Sequence, residues 1–245
     1  MLRFKNLASG SSGNATVVEA SDAHDACARP TRLLVDCGLG IRALQARLGE
    51  AGLALADIDA VFLTHEHSDH LGCIDKLVAQ RPGLPVWASQ GTRAGAGHSA
   101  LGDDLGGVWR EARDAEAIVI GALRLMPFAV PHDAQEPLQL TCSDGLRTLG
   151  IATDLGRPTP HVMHHLSGCD ALIIECNHDP QLLAASRYPV FLQRRIAGDR
   201  GHLANAVAAR MVEDLLHDRL HLLVAAHLSR ENNRPELARA QLERA

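Results

Sequence analysis

The most informative stretch of the sequence is Ala60-Val61-Phe62-Leu63-Thr64-His65-Glu66-His67-Ser68-Asp69-His70. Its first five residues are apolar or β-branched and predict a buried strand. Three histidines and an aspartate follow within six residues, at the turn between this strand and the next helix. Neutral imidazole suits Zn, Mn or Fe, and a carboxylate adds charge that helps to hold a second divalent ion. The run therefore predicts a metal site rather than a polar loop that happens to contain histidines.

Other metal-capable residues follow the ends of other apolar strands in the sequence, at His132, Asp154, His178 and His227. In layered α/β proteins, functional sites form along strand ends, where loops are held by a rigid sheet. The two halves of the chain also look alike in plan. This pattern predicts two sheets packed face to face with helices outside, and we expect residues 1–245 to form a single domain.

Composition limits the class of protein. The chain has 245 residues, which is enough for a large α/β core. A formal charge of −5 gives no electrostatic reason to expect a nucleic-acid or membrane binder, although a local basic patch can sit on an acidic protein. We find neither a signal-peptide pattern nor an apolar stretch of the roughly 20 residues that a membrane span needs. The six cysteines are scattered, which is typical of free thiols. We therefore expect a cytoplasmic protein without a membrane partner.

The run Thr64–His70 resembles the signature of the metallo-β-lactamase superfamily. Several further segments resemble one branch, the YycJ/WalJ-like exonucleases: Leu7–Asn14, Val35–Gly38, Glu175–Asp179, Gly201–Asn205 and Ala226–Asn233. The resemblance runs from about residue 2 to residue 240. It implies an α/β fold, the αββα sandwich of that superfamily.

The resemblance also implies a set of seven metal ligands for two divalent ions, Zn or Mn. One ion would be held by His65, His67 and His132, and the other by Asp69, His70 and His227. Asp154 would bridge the two. Cysteine is usual at the matching position in the β-lactamases of this superfamily, so an acidic bridge indicates the phosphodiesterase and thioesterase branches instead.

The implied activity is a metal-dependent hydrolase, most specifically a phosphodiesterase acting as a 5′-directed exonuclease on DNA. A hydroxide bridging the two metals would be the nucleophile, and Asp69 would orient it or take its proton. His202 is our candidate for the acid that protonates the leaving oxygen. A nearby helix N-terminus would lower the pKa of this imidazole unless a carboxylate compensates.

We expect supporting roles for the remaining polar residues of the late motifs, which are the segments Glu175–Asp179, Gly201–Asn205 and Ala226–Asn233. We predict Asn177, His178 and Asn205 to contact substrate, although a structural role for the first two is an equal alternative. Asp36 is expected to brace the site rather than to bind metal. Four other histidines are expected at the surface or rim: His24, His98, His217 and His221. The branch motif has Ser where this chain has Ala204, so a hydroxyl contact is absent there.

Two rival functions stay open at this point. One is a small-molecule hydrolase such as a glyoxalase II-like thioesterase, and the other is a non-catalytic binding module that kept the fold. Five arginines flank the late motifs and would bind nucleic-acid phosphates, although a solvated charged face is an equal alternative: Arg194, Arg195, Arg200, Arg230 and Arg234. Aromatic residues make up only 3% of the chain, so we expect a grip on backbone phosphates rather than base stacking.

Overall fold

The computed structural model describes residues 1–21, 29–97 and 108–245. His24 and His98 lie outside these residues. The chain divides into two compact units. The first consists of residues 1–127, 134–138 and 142–147, and the second of residues 128–133, 139–141 and 148–245. Among the described residues, no helix is long and apolar enough to span a membrane.

The first six-stranded sheet of the described residues belongs to the first unit. Its spatial order follows the chain order: β1 Leu2–Ala8, β2 Ala15–Ala20, β3 Thr31–Val35, β4 Ala60–Phe62, β5 Val86–Ala88 and β6 Trp109–Glu111. Strands β1 to β3 pair antiparallel, whereas β3 to β6 pair parallel. The ends of β3 and β4 therefore lie at one edge, which places the loops that follow them side by side.

The helices of the first unit connect these strands: α1 Ile41–Glu50, a 3₁₀ turn Leu55–Asp57, α2 Ser68–Leu71, α3 Ile74–Gln80 and α4 Gln90–Gly95. Leu44 and Leu48 of α1 are fully buried, and Ile74 and Leu77 of α3 are almost so. These side chains join one apolar cluster with Val61 of β4. The i, i+3 and i+4 spacing of the apolar residues therefore places the helices on the sheet as the sequence predicts.

The second sheet of the described residues also has six strands. They are β7 Ile118–Ile120, β8 Leu123–Ala129, β9 Leu138–Ser143, β10 Thr148–Ala152, β11 Ala171–Glu175 and β12 Leu222–Ala226. The spatial order is β12-β11-β10-β9-β8-β7. Strands β10, β11 and β12 are parallel and in register, with Ile174 beside both Ala152 and Ala225. Their carboxyl ends therefore meet at one edge of the second unit.

The helices of the second unit are α5 Pro160–Leu166, α6 Pro180–Ala184, α7 Val190–Ile196, α8 Asn205–Leu215 and α9 Pro235–Leu242. Met211 and Val212 of α8 pack in one apolar cluster with Val162 of α5 and Ala238 of α9. α7 differs from them, because it contains no buried residue.

The observed elements differ from the predictions at the motif itself. The strand predicted over residues 60–64 ends at Phe62. Gly72, which has a φ of 38°, separates α2 from α3. α8 begins at Asn205, so His202 precedes its N-cap residue, Ala204, by two positions.

Candidate functional site

In the first unit, the predicted ligands lie in the loop after β4 and in the short helix α2. His65 and His70 are fully buried. The Nε2 atom of His65 lies 3.1 Å from Nδ1 of His67. The ring centroids of His65 and His70 are 4.0 Å apart. Three imidazoles thus converge within this unit, which is the kind of donor set that a divalent metal ion requires.

The buried carboxylate of Asp36 orients His70. The Nδ1 atom of His70 lies 2.8 Å from Asp36 Oδ2, so this nitrogen donates to the carboxylate. The amide of Asn14 then donates to His70 Nε2 at 3.0 Å, which requires a lone pair there. A lone pair on Nε2 is the state of a metal ligand, and a carboxylate behind the ring is the usual second partner. The side chains therefore fit a metal ion, and the structure agrees with the expected bracing role of Asp36.

Thr64 ties this arrangement to the sheet. Its backbone N–H and its hydroxyl both donate to the carboxylate of Asp36, at 2.8 and 3.0–3.1 Å. The same hydroxyl oxygen lies 3.0 Å from Nδ1 of His65. One buried carboxylate and one hydroxyl thus fix the rotamers of two predicted ligands. Sequence reasoning assigned no role to Thr64 or Asn14, although both belong to the motifs that carry the family resemblance.

In the second unit, the candidate residues lie where three parallel strands end. Asp154 follows β10 after one residue, Glu175 is the last residue of β11, and His227 follows β12 directly. His202 comes from the turn before α8. Each of these four residues offers a ligand atom within 4.8 Å of the others. The parallel register of the strands explains the convergence, because it brings the strand ends to the same level.

The distances within this cluster distinguish the role of Glu175 from that of Asp154. Glu175 Oε1 lies 2.7 Å from His202 Nδ1 and 3.1 Å from His227 Nδ1, which are hydrogen-bond distances. Asp154 Oδ1 lies farther off, at 3.5 Å from His227 Nδ1 and 3.6 Å from His202 Nδ1. Glu175 therefore orients both histidines, and holding His227 at Nδ1 presents its Nε2 as the ligand atom. His132 is held in the same way, with Nδ1 3.1 Å from the carbonyl oxygen of Gly201.

Burial and charge set the protonation of this cluster. Burial alone would raise the pKa of the Glu175 carboxyl. The nearby His202, and hydrogen bonds from His202 and His227, outweigh it and lower the pKa to about 2. Burial works against the charged form of His202 as well, but Glu175 prevails and raises its pKa. Burial lowers the pKa of His132, so this ring is neutral, as a metal ligand must be.

Three residues of the site have strained backbone conformations. Asp36, Asp154 and His227 have φ angles of 58°, 56° and 53°. Among the described non-glycine residues, only Ala115 shares this left-handed conformation. Such conformations cost of order 1–3 kcal/mol each and cluster at functional sites. The strain therefore supports a functional rather than a structural reading of these strand ends.

The three predicted substrate contacts lie in different surroundings. Asn177 donates to the carbonyl oxygen of His227 at 3.0 Å, so it supports a predicted ligand. The amide of Asn205 exchanges two hydrogen bonds with Asn233, at 2.8 and 2.9 Å. His178 is only 3% exposed, and its Nδ1 has no hydrogen-bond partner among the described residues. All three stay predictions as substrate contacts, and Glu175 is the main residue that sequence reasoning left without a role.

Comparison with known proteins agrees with this geometry. The family model of the beta-lactamase superfamily domain matches residues 31–224. The chain is 34% identical to the exodeoxyribonuclease YycJ of Bacillus anthracis, over 97% of this chain and 86% of that protein. It is 31% identical to the exodeoxyribonuclease WalJ of Streptococcus pneumoniae, over 96% of this chain and 85% of that protein.

Solved structures share the fold. The Zn²⁺-bound PqqB of Methylobacterium extorquens superposes with a TM-score of 0.67 at 16% identity, covering 100% of this chain and 95% of that one. The chain belongs to the metallo-β-lactamase superfamily. The predicted α/β fold of the αββα class is thereby confirmed, and its two sheets are mixed and flanked by helices. Proteins of this fold generally bind divalent metal ions such as zinc.

Proposed function

We propose that this protein is a metal-dependent phosphodiesterase that removes nucleotides from DNA, as a 5′-directed exonuclease. The observation that carries the proposal is the match to two exodeoxyribonucleases over nearly the whole chain, at 34% and 31% identity. The segments that supply Glu175, His202 and His227 also resemble motifs of this branch. We also keep the expectations that residues 1–245 form one domain and that the protein works in the cytoplasm.

The proposed metal ligands are those implied by the family pattern. His65, His67 and His132 would hold one ion, and Asp69, His70 and His227 the other, with Asp154 between them. The side chains described above support this assignment, because each unit orients its imidazoles through buried oxygen atoms. An all-nitrogen and oxygen donor set suits Zn or Mn.

When bound, the ions would lower the pKa of a water molecule and neutralise charge on the phosphate. The residues of the chain supply the rest. Asp69 would orient the attacking water and accept its proton. His202 would donate a proton to the leaving oxygen, and Glu175, 2.7 Å behind it, favours the charged form of the imidazole and fixes its orientation. Asn177, His178 and Asn205 are the proposed substrate contacts.

The test is a panel of end-labelled DNA and RNA, single- and double-stranded, with 5′-phosphate or 5′-hydroxyl ends, in Mn²⁺ or Zn²⁺. We expect stepwise release of nucleotides from the 5′ end of DNA. Rapid hydrolysis of a glutathione thioester without cleavage of any nucleic acid would instead support the thioesterase rival. Binding of DNA without hydrolysis in any metal would support a non-catalytic module.

A further inference from the structure

Residues 187–200, which contain α7, carry exposed apolar and positively charged side chains. Phe191 is 73% exposed and Val190 is 60% exposed, and both lie in the first turn of α7. The chain has only four phenylalanines, and Phe62 and Phe128 are fully buried. Phe191 is therefore the only exposed phenylalanine of the four, and its ring is accessible to a binding partner.

The charge of this segment contrasts with that of the whole chain. Residues 187–200 contain four arginines and one acidic residue, whereas the chain has a net charge of −5. Within α7, Phe191, Arg194 and Arg195 are spaced i, i+3 and i+4, so they share one helix face. An aromatic ring beside arginines on one exposed face is the combination that grips single-stranded nucleic acid by stacking a base and pairing with phosphates.

Backbone and side-chain contacts join the segment directly to the candidate site of the same unit. The N–H of His202 donates to the carbonyl oxygen of Ile196, the last residue of α7, at 2.8 Å. The guanidinium of Arg200 donates to the carbonyl oxygen of His132 at 3.1 Å. Arg195 pairs with Asp133, the neighbour of His132. Phe191 precedes Ile196 by five residues, roughly 7–8 Å along the helix axis, so the exposed face lies within a few nucleotides of His202.

We propose that α7 binds the single-stranded end of the nucleic-acid substrate, with Phe191 stacked on an unpaired base and Arg194 paired with a backbone phosphate. This inference rests on the proposed function, because it names the form of the substrate at that site. It also revises the expectation that the chain grips nucleic acid through the backbone alone. A low aromatic content does not exclude stacking when one of the few aromatic rings is exposed beside the site.

The test measures binding of a short single-stranded DNA, labelled at its 3′ end, by fluorescence anisotropy with Ca²⁺ in place of the catalytic metal. Phe191→Ala should weaken binding about 5- to 150-fold, the effect of removing one stacked base. Phe191→Leu should weaken it similarly, and Phe191→Trp should not. Leu146→Ala is the matched control, since Leu146 is 75% exposed in another turn. For blunt duplex DNA, which has no unpaired base, Phe191→Ala should reduce the affinity far less.

Two further measurements separate stacking from a general apolar effect. A strand with abasic positions at its 5′ end should bind wild-type protein and Phe191→Ala equally, because the base that stacks is absent. Arg194→Gln should reduce the slope of log affinity against log salt by about 0.7, the value for one phosphate contact on a single strand. Arg124→Gln, which changes an exposed arginine on β8, should leave the slope unchanged.

The outcomes distinguish this inference from the proposed function. Equal binding of single-stranded DNA by wild type and Phe191→Ala would overturn the inference, while hydrolysis of DNA would leave the function standing. Binding that depends on Phe191 without hydrolysis in any metal would support the inference and overturn the function. Self-association that Phe191→Ala abolishes, with unchanged DNA affinity, would assign this face to a second copy of the chain instead.

Discussion

Glu175 and His202 are far apart in sequence, yet they determine the charge of the second unit's cluster. A helix N-terminus near His202 lowers the pKa of its imidazole unless a carboxylate compensates. Glu175 is that carboxylate, at 2.7 Å, and the pKa of His202 is raised. A raised pKa favours the protonated imidazole, which is the state that a leaving-group acid needs.

We predict that His202→Ala lowers turnover on DNA by about 10²–10⁴-fold, the usual contribution of a general acid. Metal content should not change. A substrate with a better leaving group, such as a nitrophenyl phosphodiester, should lose less, because its leaving oxygen needs no proton. Single-turnover rates on both substrates, with metal analysis of the same samples, make the comparison.

The control is His221→Ala, because His221 is an exposed histidine just before β12. It should behave as wild type. Loss of a metal ion from His202→Ala would make His202 a ligand and would require a new assignment for His227. An unchanged rate would place the acid elsewhere, and His178 would be the next residue to test.

The same pair predicts a pH dependence of stability in the metal-depleted protein. The lowered pKa of Glu175, about 2, contributes stability above its unfolded value of about 4.3 and loses it as the pH falls towards 2. The raised pKa of His202 contributes fully below its unfolded value of about 6.5 and loses this as the pH rises through the folded value. The pair should therefore stabilise the fold most between about pH 4.5 and 6.5.

Thermal unfolding of wild type and His202→Gln in chelator, from acid to alkaline pH, measures this effect. The difference in Tm should be largest in that window and should shrink above it. Taking the difference removes the part of the His132 contribution that comes from burial, whereas the part that comes from the charge of His202 stays in the difference. A constant difference across the range would show that the pair is not charged in the folded protein.

At the level of elements, the first unit's ligands depend on close contact between two loops. The loop after β3 crosses the turn at α2 through Gly38, whose missing side chain leaves room for the backbone of Asp69. A Cβ at Gly38 would lie 1.6 Å from the carbonyl oxygen of Asp69. Asn14 adds a hydrogen bond from its N–H to the same oxygen, at 2.8 Å. The positions of Asp69 and His70 thus follow from backbone packing as well as from side-chain contacts.

Gly38→Ala should therefore lower the free energy of unfolding by about 1–3 kcal/mol or more, the range for overpacking. It should also weaken metal binding, because the turn that contains Asp69 and His70 must move. Gly40→Ala is the control, since a Cβ at Gly40 would meet no atom within 4 Å beyond its chain neighbours. Gly40 is the N-cap of α1, so this change should cost about 1 kcal/mol or less and should not affect metal binding. Denaturant unfolding and metal titration of both variants provide the measurements.

How far the sequence predicts an element depends on how deeply that element is buried. Ala171 to Glu175 form a nearly unbroken apolar run that predicts β11 with its observed ends, because the strand is largely buried. β5, β6 and β7 are too short to show such a pattern, since each has only three residues, and β6 is also mostly exposed. α7 has no buried face to impose a helical period, so the sequence does not predict it. The sequence predicts the strand ends that hold Asp154 and His227, whereas it assigns no role to Glu175, because its partners lie 27 and 52 residues away.

At the level of the whole molecule, other interactions must offset the free-energy cost of the strained backbone at the strand ends. Asp36 lies in the first unit and Asp154 and His227 in the second, and each holds a left-handed φ at a cost of order 1–3 kcal/mol. Each unit has its own buried apolar cluster that can offset this cost. A bound ion adds a further term, because it stabilises the folded state and does not bind the unfolded chain in the same way.

Metal binding should therefore stabilise the whole protein. Loss of Asp154 should impair metal binding more than loss of a ligand that serves only one ion. We predict about two ions per chain in protein prepared without chelator. The free energy of unfolding should rise by about 2.7 kcal/mol at a metal concentration one hundred times the dissociation constant.

Asp154→Ala should lose at least one ion or most activity, since the proposed bridge serves both sites. Asp179→Ala, which removes only the cap of α6, should keep both ions. Metal analysis with thermal unfolding in chelator, Zn²⁺ and Mn²⁺ tests these expectations together. Full occupancy and rate in Asp154→Ala would remove Asp154 from the site, and clearly fewer than two ions in every metal would contradict a dinuclear centre.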